Sequence, residues 1–195
     1  MPLAFPIRLR AALAAALALL AAPAFAGELE ERWRDLAFNR CAEPIMRNAE
    51  LVTGNMWQLP AEDALRIDFR SGGQAWRQYY EPLLLINMQH RTALGAYRGC
   101  RVDFDMTDRT RVPADMGEIV EEFEDWIEDN VDNRAFRDVP CAFGDRLYAR
   151  KIKTRTEVRP GVHLSIVIEI GHDRSFVFFA AVEEPLGTGE CINES

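Results

Sequence analysis

Lysine is almost missing from this chain: of 23 basic residues only Lys151 and Lys153 are lysine, and histidine occurs three times, at positions 90, 163 and 172. No two histidines stand three or four residues apart, which excludes a helical metal-binding pair. There is no G-x-S-x-G elbow, no H-E-x-x-H, no phosphate loop and no glycine-rich dinucleotide turn, so none of the familiar catalytic signatures is present. The four cysteines, Cys41, Cys100, Cys141 and Cys191, include no C-x-x-C pair, which excludes a thioredoxin-like redox motif and a zinc knuckle. Positive charge is also short. With 31 acids against 23 basic residues the formal charge is −8, which argues against nucleic acid and against adsorption to anionic lipid. The arginine bias runs along the whole chain and reads as composition rather than as arginine chemistry. No metal and no cofactor is expected.

What is present begins at the amino terminus. Arg8 and Arg10 precede an uninterrupted apolar run over residues 11–22, and Ala24-Phe25-Ala26 has the small-x-small pattern of a cleavage site. This predicts a signal peptide over residues 1–26, because the charge-free run is shorter than the ~20 residues a spanning helix needs. Its removal takes away two arginines and no acid, moving the charge from −8 to −10, and leaves residues 27–195 as a single domain with no membrane insertion. The expected location is periplasmic or secreted. Four cysteines in an exported chain predict two disulfides.

The periodicity predicts an α+β fold: N-terminal helices, one strand, an acidic helix and a C-terminal three-strand antiparallel meander, forming one sheet covered by helices. Leu29, Trp33, Leu36, Ala37 and Cys41 recur at helical spacing, and Pro44 opens a second short helix. Residues 65–69 alternate and suggest a short strand. Residues 73–97 are rich in helix formers and suggest two helices broken at Pro82. Cys100, Val102, Phe104 and Met106 alternate with polar residues as a half-buried strand does. Asp115 is placed to cap the acidic helix. Runs over residues 147–158, 162–170 and 175–183 are separated by turn residues and predict the meander. If the acidic helix crosses over so that the Cys100 strand runs parallel to the strand at 147, Cys100 is favoured to bond Cys141, and Cys41 to bond Cys191.

The loudest chemistry is in residues 118–132, which hold eight carboxylates. Met116, Ile119, Val120, Phe123, Trp126, Ile127 and Val131 form the apolar stripe of an amphipathic helix, and Glu121, Asp125 and Glu128 belong to its polar face. Like charges four apart repel by a few tenths of a kcal/mol each, so something basic nearby is expected. Arg146, Arg150, Lys151, Lys153, Arg155 and Arg159 supply one source within the chain, and a cationic envelope protein would supply another. Calcium is disfavoured, since the segment lacks the glycine turn of a calcium loop.

Residues 103–107 carry D-x-D-x-T, which resembles the phosphotransfer motif of the haloacid dehalogenase family. That resemblance would make Asp103 the nucleophile and Asp105 the proton carrier. Both acids, however, fall on the polar face of the alternating strand, and a meander follows instead of further βα units. Two exposed strand carboxylates are expected there. His163 and Glu169, on one face of a strand, are the candidates for a small envelope hydrolase. Trp76 and Tyr80, one helical turn apart, are the candidates for carbohydrate binding. The expected function is that of a non-catalytic binding or accessory protein of the cell envelope, and the chain is not expected to be an enzyme.

Overall fold

The computed structural model describes residues 26–79, 82–105, 116–132, 135–141, 143–172 and 177–186. Residues 1–25 of the predicted signal peptide, Tyr80, Asp115 and Cys191 lie outside these residues. The protein is of mixed helix and strand, with a single eight-stranded antiparallel sheet and a few helices. The first helix, α1 (Ala26–Arg34), continues into a π-helix (Asp35–Ala42) and a short α2 (Glu43–Met46). The wider π turn lines up residues five apart, and Arg40 Nε meets Asp35 Oδ2 at 2.6 Å across that interval. It also buries Leu36, Ala37, Phe38, Cys41 and Ala42 together.

Strands β1 (Met56–Gln58), β2 (Ala75–Gln78), β3 (Leu83–Thr92) and β4 (Gly95–Phe104) form one meander, with helix α3 (Ala61–Ile67) between β1 and β2. Helix α4 (Gly117–Asp132) leads to the second meander: β5 (Phe136–Asp138), β6 (Tyr148–Thr154), β7 (Val162–Ile170) and β8 (Val177–Pro185). The two meanders join through their last strands, giving the order β1-β2-β3-β4-β8-β7-β6-β5. The turn between β6 and β7 uses Gly161 at φ 76°, a left-handed conformation open to glycine at no steric cost.

Three expectations are corrected. Residues 65–69 are not a strand: Pro60 and the acids Glu62 and Asp63 start a helix there, and Leu65 and Ile67 face solvent. The segment after residue 73 is β2, β3 and the start of β4 rather than helices, because Leu83, Leu84, Leu85 and Ile86 are buried on both faces of the sheet and packing overrides their helix propensity. The strand holding Cys100 does not run parallel beside the strand at 147. It pairs antiparallel with β8, and the disulfide is Cys41–Cys100, with Cα atoms 5.5 Å apart. Cys141 is therefore not bonded to Cys100, although it too is disulfide-bonded.

The main core lies between one sheet face and the helices. Leu83, Leu85, Val102, Leu164, Ile166, Ile168 and Phe179 meet Trp33, Phe38, Ile119, Phe123 and Ile127. The opposite face is covered over β2 and β3 by α3, where Ala64 packs with Ala75, Leu84 and Ile86. Among the described residues no helix is long and apolar enough to cross a membrane.

Candidate functional site

Helices α1 and α4 lie side by side and parallel, in matched steps. Arg34 Nη1 meets Glu122 Oε2 at 3.2 Å, and one turn on the Phe38 ring stacks on Trp126 with centroids 4.6 Å apart. One turn before these, Glu30 faces Glu118 and Glu122. Burial pushes the Glu30 carboxyl above the ordinary glutamate range, and the neighbouring Glu118 and Glu122 push it further.

The polar side of α4 divides into two parts. Glu122 is taken by Arg34, and Glu124 by Tyr148 and Arg150 of β6. Glu121, Asp125 and Glu128, spaced four and three apart, point to solvent, and among the described residues none of them makes an ion pair or hydrogen bond. The basic strand is expected to offset this helix, and among the described residues Arg150 does so, on Glu124. The other basic groups are engaged elsewhere: Arg146 with Glu169 at 3.1 Å, Arg159 with Glu183 at 2.8 Å, and Arg155 with the carbonyl of Phe136 at 2.8 Å.

Lys151 and Lys153 have the least expected placement. Both project onto the second sheet face, are buried, and converge on one carboxylate: Lys151 Nζ lies 2.7 Å from Glu184 Oε1, and Lys153 Nζ 3.3 Å from Glu184 Oε2. The Ser165 hydroxyl donates to Glu184 at 2.6 Å. The two lysines of an arginine-rich chain thus sit together where a compact ammonium on a thin stem is held out of water. Ser165 is fully buried, so this cluster offers a substrate no nucleophile.

The hydrolase candidates do not assemble. His163 and Glu169 share a face of β7 but stand six residues apart, about 20 Å along an extended strand. His163 Nδ1 is bonded to the Thr154 carbonyl at 2.9 Å. The two acids of the D-x-D-x-T stretch are not a pair of exposed carboxylates. Asp103 is buried against Arg101 at 2.6 Å, and Asp105 is partly buried and paired with Arg77 at 2.6 Å. Burial pushes the Asp103 carboxyl up to about 6 despite Arg101. Burial would also raise Asp68, which bridges Arg70 and Arg101, but hydrogen bonds from Arg70 hold it below its usual value.

No family model matches the chain, and no curated protein or solved structure matches it. A function must therefore be read from the side chains themselves. Trp76 lies on β2, half-buried against the main core, so it does not form the helical platform expected with Tyr80, which lies outside the described residues. Among the described residues the exposed aromatics include Phe69 and, at the β1 edge, Trp57, 60% exposed, and Tyr79, 61% exposed, which line an open groove of about 410 Å³ with Asn55 and Met56. Trp57 carries no signal in the sequence, because a three-residue strand has no measurable alternation. Among the described residues no group of three or more His, Cys, Asp or Glu is arranged to hold a metal ion.

Proposed function

We propose that this is an exported, non-catalytic binding or accessory protein of the cell envelope that recognises a partner with a basic surface through Glu121, Asp125 and Glu128. One observation carries the reading. These three carboxylates stay exposed and, among the described residues, without a counter-ion, while the nearest basic strand spends its charge on other acids. A surface that keeps like charges together costs the free helix a little and attracts an opposite surface over several ångströms. Export is supported by the residue pattern at positions 1–26 and by the Cys41–Cys100 bond, since disulfides persist in oxidising compartments.

The test is the triple variant Glu121→Gln, Asp125→Asn, Glu128→Gln. It is expected to be at least as stable as the wild type, because repulsion along the helix is removed, and yet to lose the proteins that the wild type recovers from envelope extract at low salt. Recovery of the same proteins by both, with no salt dependence, would overturn the reading.

A second reading is favoured by the Trp57 and Tyr79 groove, because exposed amphipathic rings suit the faces of sugars. A glycan array probed with wild type and with Trp57→Ala separates the two. Binding that disappears in the variant favours carbohydrate, and a silent array removes this alternative.

A further inference from the structure

The step where Glu30 faces Glu118 is built unlike the two that follow it along the helix pair. Arg34 with Glu122 is an ion pair, and Phe38 with Trp126 is a stacked pair. The first step opposes two carboxyls. Glu30 is only 8% exposed, and its Oε2 is buried without a hydrogen-bond partner. Of the three carboxyls gathered here, from Glu30, Glu118 and Glu122, Glu122 is paired with Arg34. A buried acceptor with no donor costs the full desolvation of that group, so this notch is incomplete as it stands. Beside Glu30, the Glu118 side chain is exposed to solvent.

We propose that the notch formed by Glu30, Glu118 and Glu122 seats a guanidinium group of the basic partner. This deepens the function proposed above and rests on it. Arginine is the fitting residue because its planar fork can donate to two carboxylates at once, whereas an ammonium is a single point of charge. A metal ion is a poorer occupant, since these acids do not form a ligand set. In the free protein burial favours the protonated form of Glu30. When the guanidinium enters, that proton leaves to the solvent and the Glu30 carboxyl becomes ionised, so charge is balanced by one cation in and one proton out.

Calorimetric titration of the full chain with nona-arginine tests this, in buffers of differing ionisation heat and at about pH 5, just above the ordinary glutamate range. The expected result is release of up to about one proton per bound peptide by the wild type. Release is expected to vanish, and affinity to fall about tenfold, in Glu30→Gln, with a smaller loss in the outward-facing Glu128→Gln. Glu118→Gln, a change at an exposed position that removes one acceptor of the fork, is expected to lower affinity while the buried Glu30 carboxyl stays in place. Unchanged affinity and proton release in Glu30→Gln, or binding by the wild type with no proton released, would overturn the notch. If the triple variant at 121, 125 and 128 loses binding while Glu30→Gln keeps it, only the notch falls. If the triple variant also binds unchanged, the function itself falls.

Discussion

On the helix side of the sheet, Leu164, Ile166, Ile168 and Phe179 meet the rings of Trp33, Phe38 and Phe123. On the other side the same strands present Lys151, Lys153, Ser165 and Glu184, which are shielded from water just as well. The first side is held by apolar contact, which needs only shape. The second is held by pairing, in which every charge depends on another. A loss on the first side should therefore be local and indifferent to pH. A loss on the second should depend on which partner is left behind.

The largest effect is expected on the apolar side. Phe179 is fully buried, with its ring edge-on to Trp33, Phe38 and Phe123. Phe179→Ala should cost about 4 kcal/mol by urea denaturation, with the same loss at acidic and neutral pH. Lys151→Ala comes next, at about 3 kcal/mol, because Glu184 keeps only Lys153 and Ser165 as partners. Replacing the whole cluster, Lys151→Met with Lys153→Met and Glu184→Gln, should recover most of that loss, since no buried charge is left alone. If that variant is as weak as Lys151→Ala, the second face is held by packing and the contrast between the faces disappears.

The smallest effect has the opposite sign. The folded protein holds the Asp103 carboxyl at about 6, above its ordinary value of 3.8. The folded state therefore binds the proton more tightly than the unfolded chain. The stability this gives is fully present below about pH 4 and is lost as pH rises through about 6. Asp103→Asn should consequently stabilise the protein at pH 7 by about 2 kcal/mol and change little at pH 4. Equal destabilisation at both pH values would mean that the bond from Arg101 matters more than the buried charge.

This division also explains what could be read from the residues alone. The helix face was legible, because Val102, Phe104, Leu164 and Ile166 alternate, and Trp33, Leu36, Phe123 and Ile127 recur at helical spacing. β3 was not, since a strand buried on both faces has no alternation to detect. The second face was misjudged because burial of Asp103, Lys151 and Glu184 depends on partners far away in sequence, which periodicity cannot reveal. The disulfide was missed for a related reason. Its pairing follows from which strand adjoins β4, and that neighbour is β8, whose Ala181, 81 residues downstream, lies opposite Cys100. Of the candidate sites, the exposed row on α4 was visible as unusual composition. The missing partner of Glu30 was not, because it appears only once two helices are side by side.

The bond between Cys41 and Cys100 joins positions 59 residues apart and is buried at both ends. Everything from α2 through β3 is therefore threaded on a covalent ring. A protease that cuts once near the exposed Arg47 or Glu50 would free no fragment, and the nick would become visible only after the chain is unfolded and its sulfurs reduced.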